Sequence, residues 1–197
     1  MSNKLFEYKI AVMGAAGRRI KLPKELLGKA REVGKEIARN NCVLITGACM
    51  GVAQEAAVGA TKEKGLIIGF SPANNLKEHT EPPISYPKPT INTILIFTGL
   101  GKEGRNILSV RTCDAVIFLS GRVGTLNEFS IAYQLGRVIG ILRRTGGITD
   151  KISEITKWCE KNTGATLIYD YKPKTLVKKI ISLLKEKDSI YGKTNRS

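Results

Sequence analysis

Glu128, Thr125, Gly124 and Gly121 lie close together at the end of the stretch Asp114-Ala-Val-Ile-Phe-Leu-Ser-Gly-Arg-Val-Gly-Thr-Leu-Asn-Glu128. The compact apolar run from Ala115 to Leu119 predicts a buried strand. Ser120, Gly121 and Gly124 break that run, and a helix-like segment continues from Thr125 through Glu128 to Leu135. A strand that leaves through a glycine loop into a helix start has free, convergent N–H groups with the positive end of the helix dipole behind them. That is an anion site. Glu128, about one turn into the helix, sets a carboxylate just beyond the anion. A phosphate held beside an acid points to a sugar phosphate or a nucleotide, with the acid facing the sugar. The competing reading is a surface carboxylate favoured in a first helical turn by the dipole alone.

The run Gly121-Arg122-Val123-Gly124-Thr125-Leu126-Asn127-Glu128 resembles the Gly-Gly-x-Gly-Thr-x-x-Glu motif of the "lonely guy" family. Those proteins are nucleotide phosphoribohydrolases, often labelled lysine decarboxylases, of the Rossmann-like SLOG superfamily. The family places two arginines on the helix ahead of an Asp-Ala strand start, and Arg105 and Arg111 stand at those distances before Asp114-Ala115. Its earlier glycine loop resembles Thr46-Gly47-Ala48-Cys49-Met50-Gly51, and the likeness spans Tyr8 to Leu142. Arg122 departs from the motif's second glycine, Ser120 from a frequent proline, and Cys49 and Ala53 from a usual glycine and methionine. Arg122 adds a cation to the phosphate site, fills the pocket, or needs a backbone angle that is costly away from glycine. These departures suggest a branch apart from the active hydrolases; the superfamily also includes a molybdenum-cofactor carrier and a single-strand DNA-binding branch.

The resemblance implies nucleotide binding by Gly121, Arg122, Gly124 and Thr125, with Gly14, Gly47, Gly51 and Arg111 in support, and catalysis by Glu128 and Arg105. The reaction it implies is hydrolysis of the N-glycosidic bond of a nucleoside 5′-monophosphate. The transition state is oxocarbenium-like, so Glu128 would stabilise positive charge growing on the sugar. Arg105 would fix the ligand and assist the leaving base. The alternative is a nucleotide or molybdenum-cofactor-type carrier or sensor without turnover; the third reading is single-strand DNA binding. No cofactor and no metal is expected, and family likeness implies a homo-oligomer, a dimer or larger. Arg105 and Arg111 are six positions apart, so at ~100° per residue they point about 120° apart on one helix. Arg105 is the better site residue, while Arg111 equally suits a helix C-terminal partner or a neighbouring subunit.

These residues need a frame. Tyr8–Met13, Val43–Ile45, Leu66–Phe70, Ile94–Phe97, Ala115–Leu119, Val138–Leu142 and Thr166–Tyr169 read as strands, and most exit into glycine-bearing loops. Helices are expected over 23–40, 52–64, 150–160 and 173–186, with Pro23 in a favoured first-turn place. The alternation predicts an α/β domain: a doubly wound, mostly parallel, Rossmann-like sheet with helices on both faces. Ligands bind such sheets beyond the carboxyl ends of the strands, where strand order reverses. The expected organisation is one domain over 1–186 and a polar tail over 187–197. The proline-rich stretch Ser71–Thr93 reads as a helix-free loop, a possible lid, with His79 mobile and lacking a serine or carboxylate partner. Gly99-Leu-Gly-Lys-Glu-Gly104 spells a dinucleotide fingerprint, but comes late in the chain and lacks a convincing acid after the next strand. Arg18 and Arg19 suit either a phosphate contact or plain surface.

The chain has 197 residues, is 42% hydrophobic and carries a net charge of +15. That charge is either a lysine-rich solvated surface or a field for anionic partners. Aromatic residues do not interleave with the basic ones along the sequence, which argues against a stacking platform for nucleic acid. No 18-residue apolar run is present and the N-terminus has no long apolar signal, so the cytoplasm is expected and a membrane is not. Cys42, Cys49, Cys113 and Cys159 have no Cys-x-x-Cys spacing, which argues against zinc. Cys49, in a ligand loop, is the one candidate reactive thiol.

Overall fold

The computed structural model describes residues 6–17 and 21–194. Seven strands alternate with helices along the chain. They are β1 (Lys9–Gly14), β2 (Val43–Thr46), β3 (Ile67–Ser71), β4 (Thr93–Phe97), β5 (Ala115–Leu119), β6 (Val138–Leu142) and β7 (Thr166–Asp170). The helices are α1 (Lys24–Arg39), α2 (Val52–Lys62), α3 (Leu76–Thr80), α4 (Gly101–Thr112), α5 (Val123–Gln134), α6 (Ile152–Trp158) and α7 (Pro173–Thr194), with a 3-10 turn over Gly147–Lys151.

The sheet order is β4-β3-β2-β1-β5-β6-β7, and every pairing is parallel. The expected mostly parallel sheet is therefore wholly parallel. The central strands are buried on both faces, which is why β2, β5 and β6 are continuous apolar runs. One face packs α1, α2 and α7 through residues such as Leu26, Ile37, Ala56 and Ile180. The other packs α4, α5 and α6 through Val110, Phe129 and Ile152. The chain winds outward from β1 to β4, then crosses to β5 on the other side of β1. The reversal puts the crevice at the carboxyl ends of β1 and β5.

Three expectations change. The proline-rich stretch is not helix-free: α3 lies within it, capped by Asn75, whose Oδ1 accepts from the Glu78 N–H at 3.0 Å. His79 is not mobile but fully buried; its Nδ1 meets Ser71 Oγ at 2.8 Å and its Nε2 meets the Pro87 carbonyl at 3.0 Å. That double contact ties the stretch to the β3–β4 side of the sheet. The tail from Lys187 is helical to Thr194, because Asp188 accepts a hydrogen bond from the Tyr8 hydroxyl at 2.8 Å and Lys187 donates to Thr166 Oγ1 at 3.3 Å. Arg18 and Arg19 lie outside the described residues.

Candidate functional site

The loop after β5 takes a shape that only glycine tolerates at Gly121. Its φ is +101°, and a β-carbon there would come 2.2 Å from Thr125 Oγ1. Thr125 is thereby buried against the loop, and α5 starts at Val123 with no side-chain cap. The first N–H groups of a helix have no partner within it, so this uncapped end points donors outward. Leu126 N–H is the first to bond back, to the Arg122 carbonyl at 2.9 Å. A β-carbon on Gly124 would have nothing within 4 Å among the described residues, so there is open space over the first turn.

Arg122 does not fill that space; its side chain is exposed. Its φ of −136° is ordinary for any residue, so replacing the motif's second glycine costs no left-handed strain.

Glu128 lies one turn along from Thr125 on the same helix face. It is not a surface acid: only 7% of it is exposed. Arg105, one turn into α4, is 5% exposed and brings Nη1 to 3.9 Å from Glu128 Oε1. That is a charge contact, longer than a hydrogen bond. Arg105 Nε and Nη1 are both buried without a hydrogen-bond partner. Gly47 makes the guanidinium's place, since a β-carbon there would come 1.8 Å from Nη1. Burial pushes the Glu128 carboxyl up to about 7, with Arg105 pulling against it. At neutral pH it therefore exchanges protons readily.

Asn106 was not legible as a site residue. Asn106 Nδ2 donates to Asn127 Oδ1 at 2.9 Å; with the amide turned over, the nitrogen instead donates to the Lys102 carbonyl at 3.0 Å and to Glu128 Oε1 at 3.3 Å. The available signal was its place beside Arg105 on a helix whose other face carries exposed residues.

The other named residues divide clearly. Gly14 ends β1 against Leu119, where Ala15 N–H donates to the Leu119 carbonyl at 3.3 Å, and Gly51 turns the β2 loop against Ala15 and Gly17. The exits of β1, β2 and β5 therefore converge. Arg111 does not join them: it is exposed in the last turn of α4, at the opposite edge of the sheet, where its carbonyl accepts from Arg137 Nη2 at 2.9 Å. Cys49 faces Arg105, and burial pushes its thiol up, so it is not poised as a thiolate nucleophile. It also lines a small cavity of about 40 Å³ between α2 and the Pro87–Thr90 segment. No cluster of three metal-ligating side chains occurs among the described residues.

With the convergent loops, the uncapped helix and the motif glycines in place, the family model for SLOG cluster4 matches residues 7–177. The chain belongs to the SLOG cluster4 family. A protein of Archaeoglobus fulgidus is 32% identical over 117 residues, 58% of this chain and 68% of that one. Among solved structures, the X-ray structure of TM1055 superposes with a TM-score of 0.75 at 25% identity, covering 90% of this chain and 99% of that one. The molybdenum cofactor binding protein of Rippkaea orientalis gives 0.70 at 28%, covering 89% and 96%. DNA processing protein A of Helicobacter pylori, described for single-stranded DNA binding, gives 0.61 at 17% over 90% and 80%, a likeness of fold. This SLOG chain thus has the Rossmann-like fold of these proteins.

Proposed function

We propose that this SLOG protein binds a nucleoside 5′-monophosphate at the β5–α5 turn and hydrolyses its N-glycosidic bond. The observation that carries the reading is Arg105: a buried guanidinium with two unpartnered nitrogens, facing Glu128, beside an uncapped helix start. Buried donors without a hydrogen bond are costly, and a ligand oxygen arriving there removes the cost. The amides of Val123, Gly124 and Thr125 receive the phosphate. Glu128 as carboxylate stabilises the charge that develops on the ribose as the bond to the base breaks, Arg105 hydrogen-bonds the departing base, and water adds to the anomeric carbon with its proton passing to the base. Asn106, bonded to Glu128, holds the carboxylate in place. Because only ionised Glu128 serves this role, turnover rises with pH to a plateau above about 7.

Incubation with AMP and related monophosphates, followed by chromatography, tests the proposal. Free base and ribose 5-phosphate appear with the wild type and are lost in Glu128→Gln. Saturable binding with no product in either protein overturns hydrolysis and leaves a carrier. The carrier is the second reading, favoured by the likeness, at 28% identity, to a molybdenum cofactor binding protein. That likeness supports including the molybdenum cofactor among the ligands tried.

The cysteines Cys42, Cys49, Cys113 and Cys159 are all free, which suits a reducing cytoplasm. Among the described residues no helix is long and apolar enough to cross a membrane. Among the exposed apolar side chains, Ile94 and Ile96 lie on β4, Leu100 just before α4, and Ile107 and Leu108 on α4. An edge strand with unpaired backbone groups beside such a surface matches a copy of itself across a twofold axis, so we assign this face to a homodimer.

A further inference from the structure

Aromatic and basic residues that stand apart in the sequence meet at the ends of β6 and β7. The Arg143 guanidinium lies 4.6 Å over the Tyr169 ring, and that of Arg144 lies 4.9 Å over the Tyr171 ring. Both arginines are exposed, and the acids nearby are engaged with other donors. Asp170 pairs with Lys179 at 2.7 Å, while Asp150 accepts the backbone N–H groups of Arg144 and Gly146 at 3.1 and 3.0 Å. Each guanidinium is thus held over a ring with no ion pair to a neighbouring carboxylate among the described residues, the arrangement that suits a phosphate.

The loop that carries them is fastened to the loop after β5. Ser120 N–H donates to Thr145 Oγ1 at 2.9 Å, Ile148 N–H donates to the Gly121 carbonyl at 3.0 Å, and the Thr149 hydroxyl donates to the Ser120 carbonyl. The arginines therefore hold a fixed position beside the first phosphate site. Neighbouring strands are about 4.8 Å apart, so the step from the β5 exit to the β7 exit is about 10 Å.

We propose that Arg143 and Arg144 bind a second phosphate, joined to the first through a nucleoside, so that the ligand class is a phosphodiester-linked nucleotide carrying a 5′-phosphate. A pyrophosphate, whose phosphorus atoms are one oxygen apart, is shorter than that step, and a nucleoside between phosphates matches it. This rests on the proposed phosphate site at Gly121–Thr125 and deepens it. The exposed face of each guanidinium is also free to stack on a base.

Calorimetric titration with AMP, ADP and the dinucleotide pApA tests it. The wild type binds pApA about ten-fold tighter than AMP, the gain of one further charge-assisted phosphate contact, while ADP binds like AMP. In Arg143→Gln/Arg144→Gln the pApA-to-AMP affinity ratio falls to near one. In the unaltered protein, the salt slope for pApA exceeds that for AMP by about 0.7, a readout independent of any variant's folding. A wild-type ratio near one, a ratio that survives in the double variant, or an equal gain with ADP overturns the second site while leaving AMP binding as evidence for the first. Binding of pApA but not AMP, lost in the double variant, supports the second site and removes the mononucleotide reading. No binding of any of the three overturns both.

Discussion

Glu128 makes the stability of the ligand-free protein depend on pH in a direction opposite to that of most carboxylates. Its carboxyl is raised from an ordinary 4.5 to about 7 by burial. The folded state therefore holds this proton more tightly than the unfolded chain does. Between those two values the folded state binds more protons, so stability falls as pH rises, and the loss is complete above about 7. At about 1.4 kcal/mol per tenfold, the change amounts to about 3 kcal/mol. For a chain of this size that is about 6–12 °C in melting temperature. Glu128→Gln removes the titration but also deprives Arg105 of its counter-charge, which destabilises at every pH. The informative quantity is consequently the change between about pH 5 and pH 8.5 in each protein, not the absolute stability at either. Urea unfolding at the two values should show the Gln variant losing about 3 kcal/mol less than the wild type on going to high pH. Parallel pH profiles for the two proteins would refute the buried, proton-holding Glu128.

Other substitutions probe the parts that position the site. Gly47→Ala drives a methyl into the Arg105 guanidinium; nucleotide affinity should fall at least ten-fold by titration, with far-UV circular dichroism unchanged. His79→Ala removes both the Ser71 and the Pro87 contacts and should cost about 2–3 kcal/mol in urea unfolding. In the wild type, burial holds the His79 pKa below its ordinary 6.5. The unfolded chain then takes up the proton first as pH drops, so stability contributed by neutral His79 is lost below about 6.5, and His79→Ala should lack that acid limb. If the proposed homodimer forms through β4, light scattering should give a dimer mass for the wild type and a monomer mass after Ile94 and Ile96 are replaced with lysine; a monomeric wild type or an unchanged mass in the variant would refute that face.

The sequence carried the parts of the site that are local. Gly121, Thr125 and Glu128 sit within one loop and two helical turns, where spacing alone fixes who faces whom, and the strand–helix rhythm made the layered sheet readable. What it did not carry is contact between distant segments. Gly47 reads as a loop glycine, and only the folded chain reveals that it vacates the volume taken by Arg105. His79 looked unpartnered because Ser71 and Pro87 come to it through a short helix and a returning loop. The Arg143–Tyr169 and Arg144–Tyr171 pairs belong to neighbouring strands, so scanning for interleaved aromatics along the chain misses them. The end of α7 was placed early because its polar residues looked solvated, whereas Asp188 reaches back to Tyr8 at the first strand.

The open ground above Gly124 offers a reporter position. A β-carbon added there meets nothing within 4 Å, and its backbone lies outside the left-handed region. Cysteine can be grafted at that point without displacing a neighbour, once the exposed Cys159 is replaced by serine. A small environment-sensitive dye attached to the graft would sit at the tip of α5, in the space proposed for the phosphate, and an anion able to bind there would displace it and change its emission.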